Sequence, residues 1–150
     1  MKNLFDPSTA NELKERALRL TPDSEGLWGK MNSAQVMAHC AGGLELATGQ
    51  MRPPRKLIGR IIGPIVKPLV LRDDESMRRN SPTIDALRVS DERNLHAERA
   101  RLLDLIDRFV AAGPAGCTTH PHSFFGPLTP QEWAILMYKH LDHHLRQFGV

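Results

Sequence analysis

Four stretches of the chain repeat apolar residues at helical spacing, and nowhere do apolar and polar residues alternate as in a half-buried strand. The first stretch follows "DPS" and predicts a helix from about residue 8 to 20. Asp6 or Ser8 can cap it, Pro7 suits a first turn, and Ala10, Leu13, Ala17 and Leu20 form one stripe. "TPDSEGLWGK" reads as a turn-rich connection. The second helix starts near Asn32 or Ser33 and runs to about Gly49. Taking about 100° per residue, Val36, Gly43, Leu46 and Ala47 fall within roughly 80° of His39, so this histidine faces the core. Gly42 and Gly43 each cost that helix about 1 kcal/mol against alanine, which implies close packing or an occupied cavity beside them.

A third helix is expected from Ser90, where "SDERN" supplies a cap and acidic residues, to about Ala112. Leu95, Leu102, Leu105, Ile106 and Phe109 form its apolar face. The last helix opens with Thr129 as cap, Pro130 at the first position and Glu132 closing a capping box, and it extends to about Phe148. Residues 51 to 89 form a long connection rich in Pro, Gly and Arg, of a length that often covers a site. Within it, "LIGRIIGPIVKPLVL" (57 to 71) is read as a short helix or an extended flap, and "RDDESMRRNSPT" as a surface loop. The expected fold is all-α: one domain over 1–150, a four-helix bundle with a long crossover between its second and third helices.

Composition adds exclusions. The excess of Lys and Arg over Asp and Glu is 20 − 17 = 3, too small for a nucleic-acid footprint, and no basic face with interleaved aromatics appears. Two cysteines, Cys40 and Cys117, give no disulfide framework and fit a reducing cytoplasm. The N-terminus lacks the apolar core of a signal peptide. The 57 to 71 stretch is too short and too interrupted to span a bilayer.

The chemistry concentrates in "YKHLDHHLRQFGV" (138 to 150). With His140 at zero on a helical wheel, the apolar face of Trp133, Met137, Leu141 and Phe148 centres near 50°, and His144 lies about 40° round, inside it. His143 falls near −60°, toward Glu132 and Lys139, and is expected at the rim. His140 and His144, one turn apart, are spaced as a helix chelates one ion, although the glutamate of the zinc peptidase motif is absent. His39 is the other histidine on a clearly apolar helix face. Three imidazoles leave coordination positions open, the pattern of catalytic rather than structural sites. Such nitrogen ligands suit Zn, Ni, Cu or Fe(II). Gln147 and Gln35 are candidates to orient the rings. His120 and His122, in "HPHSFFG", are candidates for a fourth ligand or a substrate contact, with plain surface polarity the simpler reading. His96 reads as surface, Cys40 as a small buried residue, and Trp28 and Trp133 as core anchors.

Three segments carry a resemblance: "WGKMNSAQVMAHC" (28 to 40), "HPHSFFGPLTPQEW" (120 to 133) and "YKHLDHHLRQFGV" (138 to 150). In this order they resemble the DinB/YfiT-like superfamily, and more narrowly its bacterial branch ending in an HLDHHLRQFG-type tail. The resemblance covers nearly the whole chain and is weakest over 51 to 89. It implies an up-down-down-up four-helix bundle, usually dimeric, with a divalent ion (Zn or Ni first, then Fe or Mn) on His39, His140 and His144. Related proteins include thiol-dependent S-transferases, a thiol-dependent isomerase and metal-dependent hydrolases. The expectation is therefore a cytoplasmic, homodimeric metal-dependent enzyme acting on a small molecule, with a low-molecular-weight thiol as possible cosubstrate. Its rivals are a hydrolase on the same site and a non-catalytic metal-binding or dimerisation protein. No residue is assigned as general base, and the catalytic residues stay unknown. No motif for a thiol cosubstrate is visible, and neither nucleic acid nor membrane is expected as a partner.

Overall fold

The computed structural model describes residues 1–72 and 75–150. Among them are five α-helices and no strand: α1 (Pro7–Leu18), α2 (Ser33–Thr48), α3 (Leu57–Leu71), α4 (Leu95–Ala112) and α5 (Pro130–Gln147). Two short 3₁₀ turns, Asp85–Leu87 and Gly113–Gly116, complete the regular structure.

Local signals explain most boundaries. Asp6, not Ser8, caps α1, accepting from the Ser8 N–H at 3.0 Å. Asn32 and Gln35 form a capping box at α2, and Gly49 ends it in the left-handed region at φ +77°, where a Cβ would be strained. Thr129 and Glu132 form the capping box expected at α5. The start of α4 differs from the expectation by five residues. Asn94 is the cap, accepting from Ala97 N–H at 2.9 Å. The acidic residues of "SDERN" are not its first turn: Arg93 bridges Asp91 and Glu98, both at 2.9 Å, and holds 91–93 outside the helix.

The crossover is not a plain connection. Its apolar part forms α3, fifteen residues long, despite Pro64 and Pro68 inside it. Each proline removes a backbone donor, so α3 depends on tertiary support. Two glycines one turn apart provide it: a Cβ at Gly59 would lie 2.6 Å from the Phe124 carbonyl oxygen, and one at Gly63 2.2 Å. The bare backbone of α3 thus rests directly on the 123–125 loop. Its other side is open, with Leu57 76%, Ile61 74%, Ile65 66% and Leu69 54% exposed. In "RDDESMRRNSPT", Arg72 and 75–83 are exposed apart from half-buried Met77, while Asp73 and Asp74 lie outside the described residues.

The predicted apolar faces of α1, α2 and α4 are all buried. The largest interface joins α2 to α4; α1 packs on α4 and α5, and α5 also touches α2 and α3. The central helix is α5. Its expected polar side is covered too: Lys139 is buried and donates to the Val70 carbonyl at 2.6 Å. Buried Asp142 pairs with Arg16 at 2.8 Å and Arg146 at 2.7 Å, which supplies the partners a buried carboxylate requires. Trp133 is a core anchor, but Trp28 is only half-buried, with the Arg79 guanidinium 4.2 Å above its ring.

Candidate metal centre

The α2–α5 contact places His39 against His140 and His144. Ring centroids lie 4.8 Å apart for His39–His140, 4.6 Å for His39–His144 and 4.8 Å for His140–His144. One ring nitrogen from each falls within 4.8 Å of the other two. The glycine pair of α2 explains the closeness. A Cβ at Gly43 would stand 3.0 Å from His140 Nδ1, and one at Gly42 would stand 2.8 Å from the Leu87 side chain. Both glycines therefore permit close packing, one of the histidine and the other of the turn that holds it.

Neighbours fix two of the three tautomers. His39 Nδ1 donates to the Leu87 carbonyl at 2.7 Å, because a carbonyl can only accept. Its Nε2 lone pair therefore points at His140, whose Nε2 is 2.8 Å away. The Gln147 amide donates through Nε2 to the Trp28 carbonyl at 2.7 Å, so its oxygen is the atom facing His144 Nδ1 at 2.9 Å. His144 therefore carries its proton on Nδ1 and donates it to that oxygen, which leaves the lone pair on Nε2. A carbonyl or amide behind a ring nitrogen is the usual support of a metal-binding imidazole. His140 Nδ1 is buried with no hydrogen-bond partner among the described residues.

Burial sets the charge state. It is the largest cause lowering the pKa of each ring: for His140 well below the ordinary value, with His39 and His144 adding to it. His144 drops to about 3, and His39 also falls, partly offset by its bond to Leu87. All three are thus neutral at neutral pH, the form that binds a metal. Three neutral nitrogen donors, two of them oriented from behind, could hold a divalent metal ion.

The other candidates lie elsewhere. Gln35 is occupied by the α2 cap and by the Asp91 carbonyl, which it meets at 3.0 Å. His120 donates to the Pro53 carbonyl at 3.2 Å. His143 is buried, not at the rim, because Trp28 (ring centroids 5.7 Å apart) and Met77 cover it; burial lowers its pKa against a hydrogen bond with the Met77 backbone. His122 Nδ1 accepts from the Phe124 and Phe125 N–H groups at 3.1 and 3.2 Å, and its ring stands 5.6 Å from Trp133. Burial, with Arg55 nearby, brings its pKa down to about 4. His96 is exposed, as expected.

Residues 7–149 match the model of a protein family of unknown function, DUF1569. The chain belongs to that family. No curated protein and no solved structure matches it. In this DUF1569 chain the histidines chosen from helical spacing come together. Gln147, a candidate from the sequence, orients His144; the Leu87 carbonyl behind His39 and the Trp28 carbonyl behind Gln147 were not foreseen. Backbone acceptors carry no residue-type signal, and Leu87 sits in a short turn inside the connection. Cys40, next to His39 in the chain, is fully buried, which pushes its thiol pKa far up.

Proposed function

We propose that His39, His140 and His144 bind one divalent ion, zinc or nickel before iron or manganese, and that the protein is a metal-dependent enzyme acting on a small molecule. The observation that carries this is the convergence of three neutral rings with two Nδ1 protons already committed outward. Such an ion acts as a Lewis acid that lowers the pKa of a thiol or water. Leu87 and Gln147 keep His39 and His144 in the ligand tautomer. Gly43 lets His140 approach, and packing around α2 and α5 excludes bulk water.

Of the two chemistries, thiol transfer extends the DinB/YfiT-like resemblance. A low-molecular-weight thiol would lose its proton to solvent and form a carbon–sulfur bond, while the electrophile's leaving group departs with its electron pair. Hydrolysis on the same site differs only in the nucleophile. Mass analysis of products from an alkyl halide and an ester, with and without added cysteine, separates them. Thioether formed only with protein and thiol supports transfer, whereas thiol-independent hydrolysis supports the alternative. Absence of both with zinc-loaded protein favours a non-catalytic metal-binding or dimerisation protein.

The same reading includes one cytoplasmic domain with the DinB/YfiT-like up-down-down-up bundle, supported by α1 and α2 each packing on both α4 and α5. It also includes a homodimer, supported by the exposed apolar row Leu57, Ile61, Ile65 and Leu69 on α3. Sedimentation of Ile61→Lys checks this: a dimer that turns monomeric agrees, and a wild-type monomer refutes it.

A further inference from the structure

Among the described residues, three buried side-chain polar atoms besides His140 Nδ1 have no hydrogen-bond partner: Arg55 Nε, Ser123 Oγ and Trp133 Nε1. They belong to one neighbourhood. The Lys56 N–H donates to the Ser123 carbonyl at 2.9 Å, tying the residue after Arg55 to the 120–126 loop. His122 and Gly126 exchange backbone hydrogen bonds of 2.9 and 3.0 Å. The Arg55 guanidinium lies against this pair, 3.1 Å from where a Gly126 Cβ would stand. The His122 ring in turn faces Trp133, with 5.6 Å between ring centroids.

The polarity of these atoms is one-sided. Arg Nε–H and the indole Nε1–H can only donate, and a serine hydroxyl can do so. His122 offers a further donor beside these buried atoms: its Nδ1 accepts two backbone N–H groups, so the proton sits on Nε2. Arg55 makes one hydrogen bond, to the Gly59 carbonyl at 3.3 Å, and no ion pair among the described residues. No Asp or Glu occurs between residues 46 and 72 to neutralise it. Stranding even one such donor costs about 1–3 kcal/mol, and a charged one more. A cluster of donors around an unneutralised guanidinium is built for an acceptor from outside the chain.

We propose that Arg55, His122, Ser123 and Trp133 form a carboxylate-binding subsite for the substrate of the neighbouring three-histidine site. This inference rests on the small-molecule reading given above and names its substrate class, an organic acid. Trp133 lies two turns before His140 on α5, so a carboxylate held there would sit about 10 Å along the helix from His140. That span suits a molecule several carbons long, with its acid group at Arg55 and its reactive end at the histidines. The guanidinium supplies charge, and Trp133 and Ser123 supply directional donors.

The test uses the full chain, metal-free, with propionate as probe and propionamide as its uncharged counterpart. The readout is the Trp133 indole N–H resonance, assigned with Trp28→Phe. Propionate is expected to shift it saturably, propionamide at least 10-fold more weakly. Arg55→Gln should weaken propionate at least 10-fold, and Arg55→Lys should retain part of the binding. Equal responses to propionate and propionamide overturn the proposal, as does an Arg55→Gln protein that binds unchanged. So does a response confined to zinc-loaded protein, lost in His140→Ala and indifferent to Arg55, which would put the carboxylate on the ion. If Arg55→Gln fails to fold, the two probes on the unsubstituted chain still decide. Failure of the metal reading leaves the metal-free titration standing, so the two outcomes remain separable.

Discussion

Gln147 joins the candidate site to the fold through two hydrogen bonds that substitution can separate. Its oxygen accepts from His144 at 2.9 Å and its amide nitrogen donates to the Trp28 carbonyl at 2.7 Å, from a side chain only 2% exposed. Gln147→Leu strands both partners. At about 1–3 kcal/mol per buried unsatisfied group, the metal-free protein should lose roughly 2–6 kcal/mol before relaxation. A ring released from its orienting partner typically loses about 10–100-fold in metal affinity. Gln147→Glu keeps an acceptor for His144 but no donor for Trp28. It should lose roughly 1–3 kcal/mol of stability while holding zinc at least as tightly as the native chain. Urea unfolding of the metal-free proteins measures the first quantity, and competition against a chromophoric chelator the second. A folded Gln147→Leu protein with unchanged stability and zinc affinity would refute the reasoning. Equal zinc loss in both variants would refute the role given to the His144 bond.

Other outcomes follow from the same structure. Since burial lowers the histidine pKa values in the folded state, to about 3 for His144 and about 4 for His122, the unfolded chain binds more protons once pH falls below about 6.5. Stability of the metal-free protein should be level above that pH and fall below it, by on the order of 2 kcal/mol per such ring at pH 5; a flat profile between pH 7.5 and 5 contradicts it. Gly63→Ala forces a Cβ against the Phe124 carbonyl and should cost about 1–3 kcal/mol while loosening α3. Faster tryptic cleavage after Arg60 would show this, and unchanged cleavage and stability would count against the docking described. In the native protein a thiol reagent should label half-buried Cys117 and leave Cys40 untouched until the chain unfolds; rapid labelling of Cys40 would contradict its burial.

What the sequence reveals depends on how local each signal is. The His39, His140 and His144 faces follow from 3.6-residue periodicity, because α2 and α5 are capped where their cap residues say. Periodicity sees one helix at a time, however. It put His143 and Lys139 on a polar rim, and neither is there, since α3 and the 75–79 segment cover α5 from outside. The helix α3 itself was undecided because two prolines weaken its local signal, and the Gly59–Gly63 contact with Phe124 that supports it is tertiary. Asn94, not Ser90, caps α4, and Arg93 ties Asp91 to Glu98 of the first turn. In the sequence the arginines of 52 to 60 read as ordinary solvated charge, with some able to receive an anionic substrate, and only the fold shows the Arg55 Nε buried without a partner among the described residues.

The central claim is that His39, His140 and His144 hold one ion. Equilibrium dialysis of the full chain against zinc, followed by elemental analysis, tests it most directly, with His140→Ala and the exposed His96→Ala run in parallel. The native protein and His96→Ala should each bind one zinc per chain, and His140→Ala should lose it with helical content retained. No stoichiometric zinc in the native protein, or full retention in His140→Ala, would contradict it.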